Sequence, residues 1–236
     1  MNHRISTITA TASVVVVSPS STKTLIDLND LFARLECSGD LVAVKHKDDD
    51  KKIPSSTQNT EKTARKPRKS TKVKKSFDNQ LTLVFRRHAK GTTDVKIFCN
   101  GRVQLTGVKS VDDGPALLDD ICVRCGFAGH ADYRIRMMNT DWKLGHALRL
   151  YDVHLRAREL GIKSRYEPSL YPGVLVKLPA DDEGDVKKSK MLTIMVFRTG
   201  SVVVAGATAL GHLDRAVEFC DTHLFRGFHP RTPTMG

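Results

Sequence analysis

The chain has 236 residues and a formal net charge of +12, with 38 Lys and Arg against 26 Asp and Glu. Hydrophobic residues at 40% and charged residues at 27% predict a soluble globular protein of one or two domains and exclude a wholly disordered one. The longest aliphatic run, Val14–Val17, is too short for a membrane-spanning helix, and the N-terminus lacks the apolar region of a secretory signal.

The first predicted elements are a strand and a helix. The Thr- and Val-rich run Arg4–Val17 is typical of a β-strand. Leu28, Leu31, Phe32 and Leu35 follow at helical spacing and predict an amphipathic helix with these residues on one face.

A strongly basic segment comes next. Residues 45–75 hold twelve Lys or Arg and four acids, and Lys62–Lys75 has eight basic residues and no acid. With so few apolar residues we predict a disordered basic insert over 38–75. It could bind nucleic acid non-specifically, serve as a nuclear-localisation signal, or be a solvated linker. Asp48–Asp50 fits plain solvation better than a metal site.

Two hairpins are predicted at a constant offset. Residues 97–107 read IFCNGRVQLTG and residues 196–206 read VFRTGSVVVAG, with four of eleven positions identical and all 99 residues apart. Each pattern predicts a strand, a two-residue turn ending in Gly, and a second strand. A further β-rich run precedes each hairpin, at Gln80–Phe85 and Gly173–Leu178.

The flanking helices repeat as well. A helical apolar stripe follows each hairpin, formed by Leu118, Ile121, Cys122 and Cys125, and by Leu213, Ala216, Val217 and Cys220. In the second half, the strand pattern Tyr133–Leu144 precedes a helix predicted to carry Leu144, Leu148, Tyr151 and Leu155 on one face.

Each half therefore reads strand, helix, three or more strands, helix, which predicts an α+β fold with an antiparallel sheet. The predicted organisation is a first strand and helix of repeat 1 (1–37), the disordered basic insert (38–75), the remainder of repeat 1 (76–130), repeat 2 (131–226) and a flexible C-terminal tail (227–236).

One strand of the second hairpin is apolar on both faces, because Val202, Val203 and Val204 are consecutive. One face must meet the helices. The other indicates an interaction surface, or a sandwich in which the free faces of two sheets pack together.

The cysteines favour buried thiols over a metal site. The five Cys are odd in number and dispersed, which favours an intracellular, reducing compartment. Cys122 and Cys125, with His130 nearby, suggest zinc, but no second ligand pair is evident and both lie on the apolar helical stripe. We predict no metal, no cofactor and no enzymatic activity, since no phosphate loop or catalytic motif is visible. Tyr133, Trp142 and Tyr151 are predicted to pack in the core.

Taken together, these motifs resemble the TATA-binding protein family. YEPSLYPG (166–173) resembles the family's YEP-E-L-F-P-G segment, and both hairpins resemble its IF-x-S-G-K-x-V-x-T-G-A-K motif. RISTITAT (4–11) and IRMMNTDWKL (135–144) look more like divergent members coded by nucleocytoplasmic large DNA viruses. The resemblance covers about residues 4–226 without the insert.

The resemblance implies a saddle of two pseudo-symmetric repeats forming a curved antiparallel sheet, with helices on the convex face. It also implies a concave face that binds the DNA minor groove and aromatic wedges that kink the duplex. The implied DNA-intercalating residues are Phe77, Phe98, Tyr171 and Phe197. With strand alternation, the implied minor-groove face is Thr7, Thr9, Lys96, Gln104, Thr106, Met137, Asn139, Met195, Val203 and Ala205. The implied phosphate contacts, which could equally be solvated surface charges, are Arg102, Lys109 and Lys177.

The resemblance implies a transcription initiation factor that binds and bends A·T-rich promoter DNA, with a transcription-factor-IIB-like protein and the multisubunit RNA polymerase as partners. The expected location is the host nucleus or a cytoplasmic viral factory, with no membrane and no small-molecule substrate. Departures from the family pattern favour an alternative, an interaction adaptor that has lost DNA bending. Ser201 and Thr208 replace motif Lys residues, and Lys96 replaces an aliphatic one.

Overall fold

A computed structural model describes residues 3–16, 25–53, 79–87, 91–181 and 190–228. The strands in these ranges are β1 Arg4–Val15, β2 Leu41–His46, β3 Asp49–Lys52, β4 Gln80–Phe85, β5 Thr93–Phe98, β6 Arg102–Val108, β7 Gly129–Lys143, β8 Lys163–Tyr166, β9 Gly173–Pro179, β10 Met191–Phe197 and β11 Ser201–Ala207. The helices are α1 Leu28–Arg34, α2 Asp113–Cys125, α3 Leu150–Glu159 and α4 Leu210–Phe219, which a π-helical turn, Cys220–Leu224, continues. The predicted α+β class with an antiparallel sheet is confirmed. No helix in the described ranges is long and apolar enough to cross a membrane.

The chain divides into two compact units. The first unit comprises Thr11–Gly107 and Gly114–Tyr133. The second unit comprises Met1–Ala10, Val108–Asp113 and Arg134–Gly236. Strands β1 and β7 have residues in both units, so the units do not coincide with the predicted repeats.

In the first unit the strand order is β3-β2-β4-β5-β6, and all neighbours are antiparallel. Alternate residues of β4, β5 and β6 are fully or almost fully buried, namely Leu81, Leu83, Phe85, Val95, Ile97, Val103 and Leu105. The residues between them are half-buried or exposed. One face of this sheet is therefore core, and we call the other its open face.

The second unit repeats this arrangement with the order β7-β11-β10-β9-β8, again antiparallel. Its core face consists of Val174, Val176, Leu178, Leu192, Ile194, Val196, Val202 and Val204. Helix α3 packs against β8 and β9, and α4 packs against β10 and β11. The unit thus also has an open face, on the alternate residues of the same strands.

The prediction for the apolar face of α3 is wrong. The helix begins only at Leu150, and its buried residues are Leu150, Val153 and Ala157. Tyr151 is 55% exposed and Leu155 is 40% exposed. Because the residues before Leu150 are not helical, Leu144 and Leu148 do not continue a stripe on this helix.

The prediction of a disordered insert over 38–75 is wrong for its first part. Residues 41–52 form the antiparallel hairpin β2–β3, and Leu41, Ala43 and Val44 are buried because β2 pairs with β4. The rest of the predicted insert, from residue 54, lies outside the described residues. At the other end, Phe228 still belongs to the described fold, since its ring packs edge-on against Phe225 at 6.5 Å. The predicted tail beyond it is likewise outside the described residues.

Helix α1 is capped at both ends. The Asp27 carboxylate accepts hydrogen bonds from the backbone N–H groups of Asn29 and Asp30, which lower the pKa of Asp27. At the C-terminal end, Lys51 of β3 donates from Nζ to the carbonyls of Phe32, Ala33 and Leu35 at 2.6, 3.0 and 3.1 Å. The same ammonium lies 4.8 Å from the centre of the Phe32 ring. A cation at this end also complements the helix dipole.

We expect Lys51→Met to lower the free energy of unfolding by about 1–2 kcal/mol, because three carbonyls at the end of α1 lose a charged donor. The matched control is Lys52→Met, which removes only an exposed ion pair with Asp50 and should change stability by less than about 0.5 kcal/mol. Urea denaturation of both variants measures the difference. Equal losses would contradict the assigned capping role.

Both hairpins turn through a glycine in the left-handed region. Gly101 has φ +79° and Gly200 has φ +78°, and their N–H groups donate to the carbonyls of Phe98 and Phe197, both at 2.9 Å. Each loop has three residues between the strands, not the predicted two, because β5 ends at Phe98 and β6 begins at Arg102.

We expect the two turn glycines to differ in how much stability is lost when each is replaced by alanine. Gly101→Ala should cost about 1–2 kcal/mol, because alanine is strained in the left-handed conformation and its Cβ would lie 3.3 Å from the Val14 carbonyl oxygen. Gly200→Ala should cost more, since its Cβ would overlap the His146 carbonyl oxygen and the backbone must shift. Thermal melting of the two variants tests this order, and a larger drop for Gly101→Ala would refute it.

Candidate nucleic-acid interface

The open face of the second unit is mainly apolar at its centre. Met195 pairs with Leu175 on one side and Val203 on the other. All three side chains are half-buried, in contrast to the fully buried Ile194 and Val196 that flank Met195. In the next row Thr193 pairs with Ala205 and with Lys177. The apolar character predicted for the free side of the Val202–Val204 strand therefore extends to neighbouring strands.

Two aromatic rings stand at the end of this face. The centroids of Tyr171 and Phe197 are 6.0 Å apart and their planes are tilted by 54°. The Tyr171 hydroxyl donates to Sδ of Met195 at 3.4 Å, and the Tyr171 N–H donates to the Glu167 carbonyl at 2.9 Å. These bonds fix the tyrosine beside the phenylalanine and leave both rings half-buried.

Gly173 makes room for the aromatic pair. It pairs with Phe197 between β9 and β10. A Cβ at this position would lie 3.1 Å from the Tyr171 ring, 3.2 Å from the Phe197 ring and 2.9 Å from the Val196 carbonyl oxygen. The final Gly of YEPSLYPG is thus required by close packing under the two rings.

The open face of the first unit is polar at the strand positions that correspond to Met195 and its neighbours. Lys96 pairs with Thr82 and Gln104, while Asp94 pairs with Val84 and Thr106. Phe98 is half-buried at the end of β5, opposite Gln80. Phe77, its predicted partner, lies outside the described residues.

The remaining predicted face residues belong to the second unit. Thr7 and Thr9 are half-buried and alternate with the buried Ile8 and Ala10. Met137 is 37% exposed. Asn139 is half-buried, and its Oδ1 atom is inaccessible and has no hydrogen-bond partner within the described part of the chain.

The three predicted phosphate-binding residues differ in their surroundings. Arg102 is exposed at the start of β6. Lys177 is half-buried on the open face and donates from Nζ to Oγ1 of Thr193 at 2.6 Å. Lys109 donates to the Ser6 carbonyl, so its ammonium holds the first strand within the second unit. Sequence reasoning missed this contact because the two residues are 103 positions apart.

The cysteines of the two helical stripes are buried thiols. Cys122, Cys125 and Cys220 are buried, and burial raises the pKa of each thiol, that of Cys125 to about 12. His130 instead lies 3.2 Å from the carboxylate of Asp119. In the described ranges no group of three or more His, Cys, Asp or Glu could hold a metal ion. Trp142 is buried as predicted and Tyr133 is half-buried, but the prediction for Tyr151 is wrong.

We expect only Cys37 and Cys99 to react readily with a thiol reagent in the native protein at pH 8. Both are half-buried, whereas the other three thiols are buried and protonated at that pH. Titration with Ellman's reagent should count two fast equivalents in buffer and five in denaturant. The Cys37→Ser/Cys99→Ser variant should lose the fast phase. A third fast thiol would show that a helix stripe is open to solvent.

Comparison with known proteins agrees with this geometry. Residues 132–226 match the family model described as transcription factor TFIID, or TATA-binding protein. A TATA-box-binding protein-like protein of Acanthamoeba polyphaga mimivirus is 26% identical over 264 residues, covering 95% of this chain and 65% of the relative. The TATA-box-binding protein of Saccharomyces cerevisiae is 27% identical over 143 residues, covering 59% of this chain and 55% of the relative. The chain thus spans more than half, but less than two thirds, of the length of these relatives.

A solved structure matches the fold over nearly the whole chain. The TATA-binding protein of Methanococcus jannaschii aligns with a TM-score of 0.56 and 19% identity, covering 94% of this chain and 98% of that one. The fold is therefore that of the TATA-binding proteins. Together with the family match, this confirms the resemblance predicted from the two hairpins and YEPSLYPG. The chain is thus similar to TATA-binding proteins in fold over nearly its whole length and in sequence over residues 132–226. Its similarity to the mimivirus relative agrees with the predicted likeness to viral members.

Proposed function

We propose that this protein is a TATA-binding-protein-like transcription initiation factor that binds A·T-rich promoter DNA in the minor groove and bends it. The observation that carries this proposal is the Tyr171–Phe197 ring pair at the end of a mainly apolar open face. The proteins that share its family model and fold are TATA-binding proteins.

The chemistry of the open face suits an A·T minor groove. At A·T pairs the groove floor offers only acceptor atoms, without the guanine amino group, so a row such as Leu175, Met195 and Val203 can cover it without burying an unpaired donor. Aromatic side chains can enter between base steps and kink the duplex. Bending costs on the order of a few kcal/mol, which the added contacts offset.

Other residues have supporting roles in this proposal. Phe98 acts in the first unit as Phe197 does in the second, with Phe77 as its proposed partner. Arg102 and Lys177 bind phosphates, whereas Lys109 mainly holds the Ser6 backbone. The proposed minor-groove contacts are Thr7, Thr9, Lys96, Gln104, Thr106, Met137, Asn139, Met195, Val203 and Ala205.

The bound promoter would recruit a transcription-factor-IIB-like protein and a multisubunit RNA polymerase, in the host nucleus or in a cytoplasmic viral factory. The protein carries out no chemical reaction in this role, because positioning and bending of DNA need no catalytic group.

A second candidate function is an adaptor that retains the fold without bending DNA. The observation favouring it is the charge on the open face of the first unit, where Lys96 and Asp94 replace the apolar and neutral side chains found in the second unit. Such a face suits a protein partner of mixed charge.

Energy transfer between dyes at the two ends of a duplex separates these functions. We expect A·T-rich DNA to bind more tightly than G·C-rich DNA and to bring its ends together. Phe98→Ala and Phe197→Ala should each reduce the bend and weaken binding by about tenfold or more, since a base step loses its wedge. Phe219→Ala, which removes a half-buried ring from α4, is the matched control and should bind like the parent protein.

A salt series identifies the electrostatic share of binding. Replacing the eight basic residues of Lys62–Lys75 by Gln should flatten the salt dependence without abolishing the bend. Sequence-blind binding that disappears in this variant, with no bend at any salt concentration, would refute minor-groove binding by the open faces and favour the adaptor.

A further inference from the structure

At corresponding strand positions, the open face of the first unit is polar and that of the second unit is apolar. In the first unit Thr82, Lys96 and Gln104 lie side by side on β4, β5 and β6. We call these three residues the polar row. In the second unit Leu175, Met195 and Val203 lie side by side on β9, β10 and β11. We call these the apolar row.

The rows occupy the same place in their hairpins. Lys96 and Met195 are 99 residues apart, as are Gln104 and Val203, and the turn glycines share this offset. Each row lies two residues from its aromatic side chain on the same strand face, Lys96 from Phe98 and Met195 from Phe197. The φ angles of Gly101 and Gly200 differ by only one degree, +79° against +78°. The difference between the rows is therefore chemical, because the local backbone is the same.

The polar row has unused hydrogen-bonding capacity. Lys96, Thr82 and Gln104 are all half-buried. Within the described residues no hydrogen bond or ion pair is found for Lys96, although Asp94 lies two residues before it on the same strand face, opposite Val84 and Thr106. In the second unit the nearest ammonium on β9, Lys177, is instead bound to Thr193. The polar row can thus offer an ammonium, a hydroxyl and a carboxamide to a ligand.

These groups distinguish base pairs in a minor groove. Every base pair presents acceptor atoms there, and G·C adds the amino group of guanine. The apolar row would bury that amino group without a partner, which is costly. The Gln104 carboxamide and the Thr82 hydroxyl can accept a hydrogen bond from it, while Lys96 donates to the neighbouring acceptors.

We propose that the two units differ in base-pair preference: the apolar row requires A·T, whereas the polar row accepts G·C. This inference rests on the proposed function, in which each open face covers its own segment of the groove. A duplex that is A·T in one half and G·C in the other then has a single favoured orientation. The polar row thereby sets the direction of the protein on DNA.

Competition among three duplexes tests the proposal. One is A·T throughout the site, one has G·C in one half, and one has G·C in both halves. The parent protein should bind the half-substituted duplex within about threefold of the A·T duplex and the fully substituted one about tenfold or more weaker.

Two reciprocal variants exchange the rows. Thr82→Leu/Lys96→Met/Gln104→Val should bind the half-substituted duplex about tenfold or more weaker than the A·T duplex, whatever its absolute affinity for A·T DNA. Leu175→Thr/Met195→Lys/Val203→Gln should gain tolerance of G·C in both halves. The single variant Lys96→Met provides a milder change if a triple variant misfolds, which circular dichroism and thermal melting would reveal.

Cross-linking measures the orientation. A photoreactive group on a backbone phosphate in the A·T half should attach to peptides of the second unit, and one in the G·C half to peptides of the first. The Thr82→Leu/Lys96→Met/Gln104→Val variant should cross-link to peptides of both units from either position.

The outcomes separate this inference from the proposed function. If A·T DNA is preferred but the half-substituted duplex binds no better than the fully substituted one, or Lys96→Met and the triple variant leave preference and orientation unchanged, the row assignment is wrong. If all three duplexes bind equally and none bends, the proposed function fails and the row assignment fails with it.

Discussion

The left-handed turns at Gly101 and Gly200 are the constraint on which the hairpins of both units depend. Each turn sets the register of its hairpin, so that Ile97 pairs with Val103 and Val196 with Val202. A slip of one residue would move every side chain of a strand to the opposite face. The rings of Phe98 and Phe197 would then enter the core, and the fully buried Ile97 and Val196 would lose their packing. Core and open face are thus specified by the same turn.

Helices on one side of the strands explain why an open face exists. Within the second unit, α3 and α4 pack on the side formed by residues such as Val176, Ile194 and Val204. The alternate residues, Met195 and Val203 among them, remain half-buried. Leaving apolar surface in contact with water is unfavourable, and binding a ligand over it recovers that free energy. In the proposed function, the aromatic pair at the end of the same face gives that surface a geometry suited to stacked bases.

Local periodicity made most of the fold predictable. The hairpins, the strand Gln80–Phe85 and the stripes of α2 and α4 follow from spacing alone, and the Gly motif located Phe98 and Phe197. The hairpin β2–β3 was missed because charges dominate residues 45–52, and its anchor, Lys51, acts through tertiary contacts with α1. The stripe on α3 was misplaced because the helix begins later than Leu144. The link from Lys109 to Ser6 has no local signature at all.

The repeat also explains how two similar units can differ in chemistry without losing the fold. Strand alternation assigns packing to one set of residues and leaves the set between them on the open face. A change from an aliphatic residue to lysine at the position of Lys96 leaves the buried Val95 and Ile97 in place, because the new side chain lies on the open face. The same change one position away would place a charge in the core, at a cost of several kcal/mol. Divergence between the halves therefore changes stability little on the open faces, where it would alter the proposed recognition of DNA most directly.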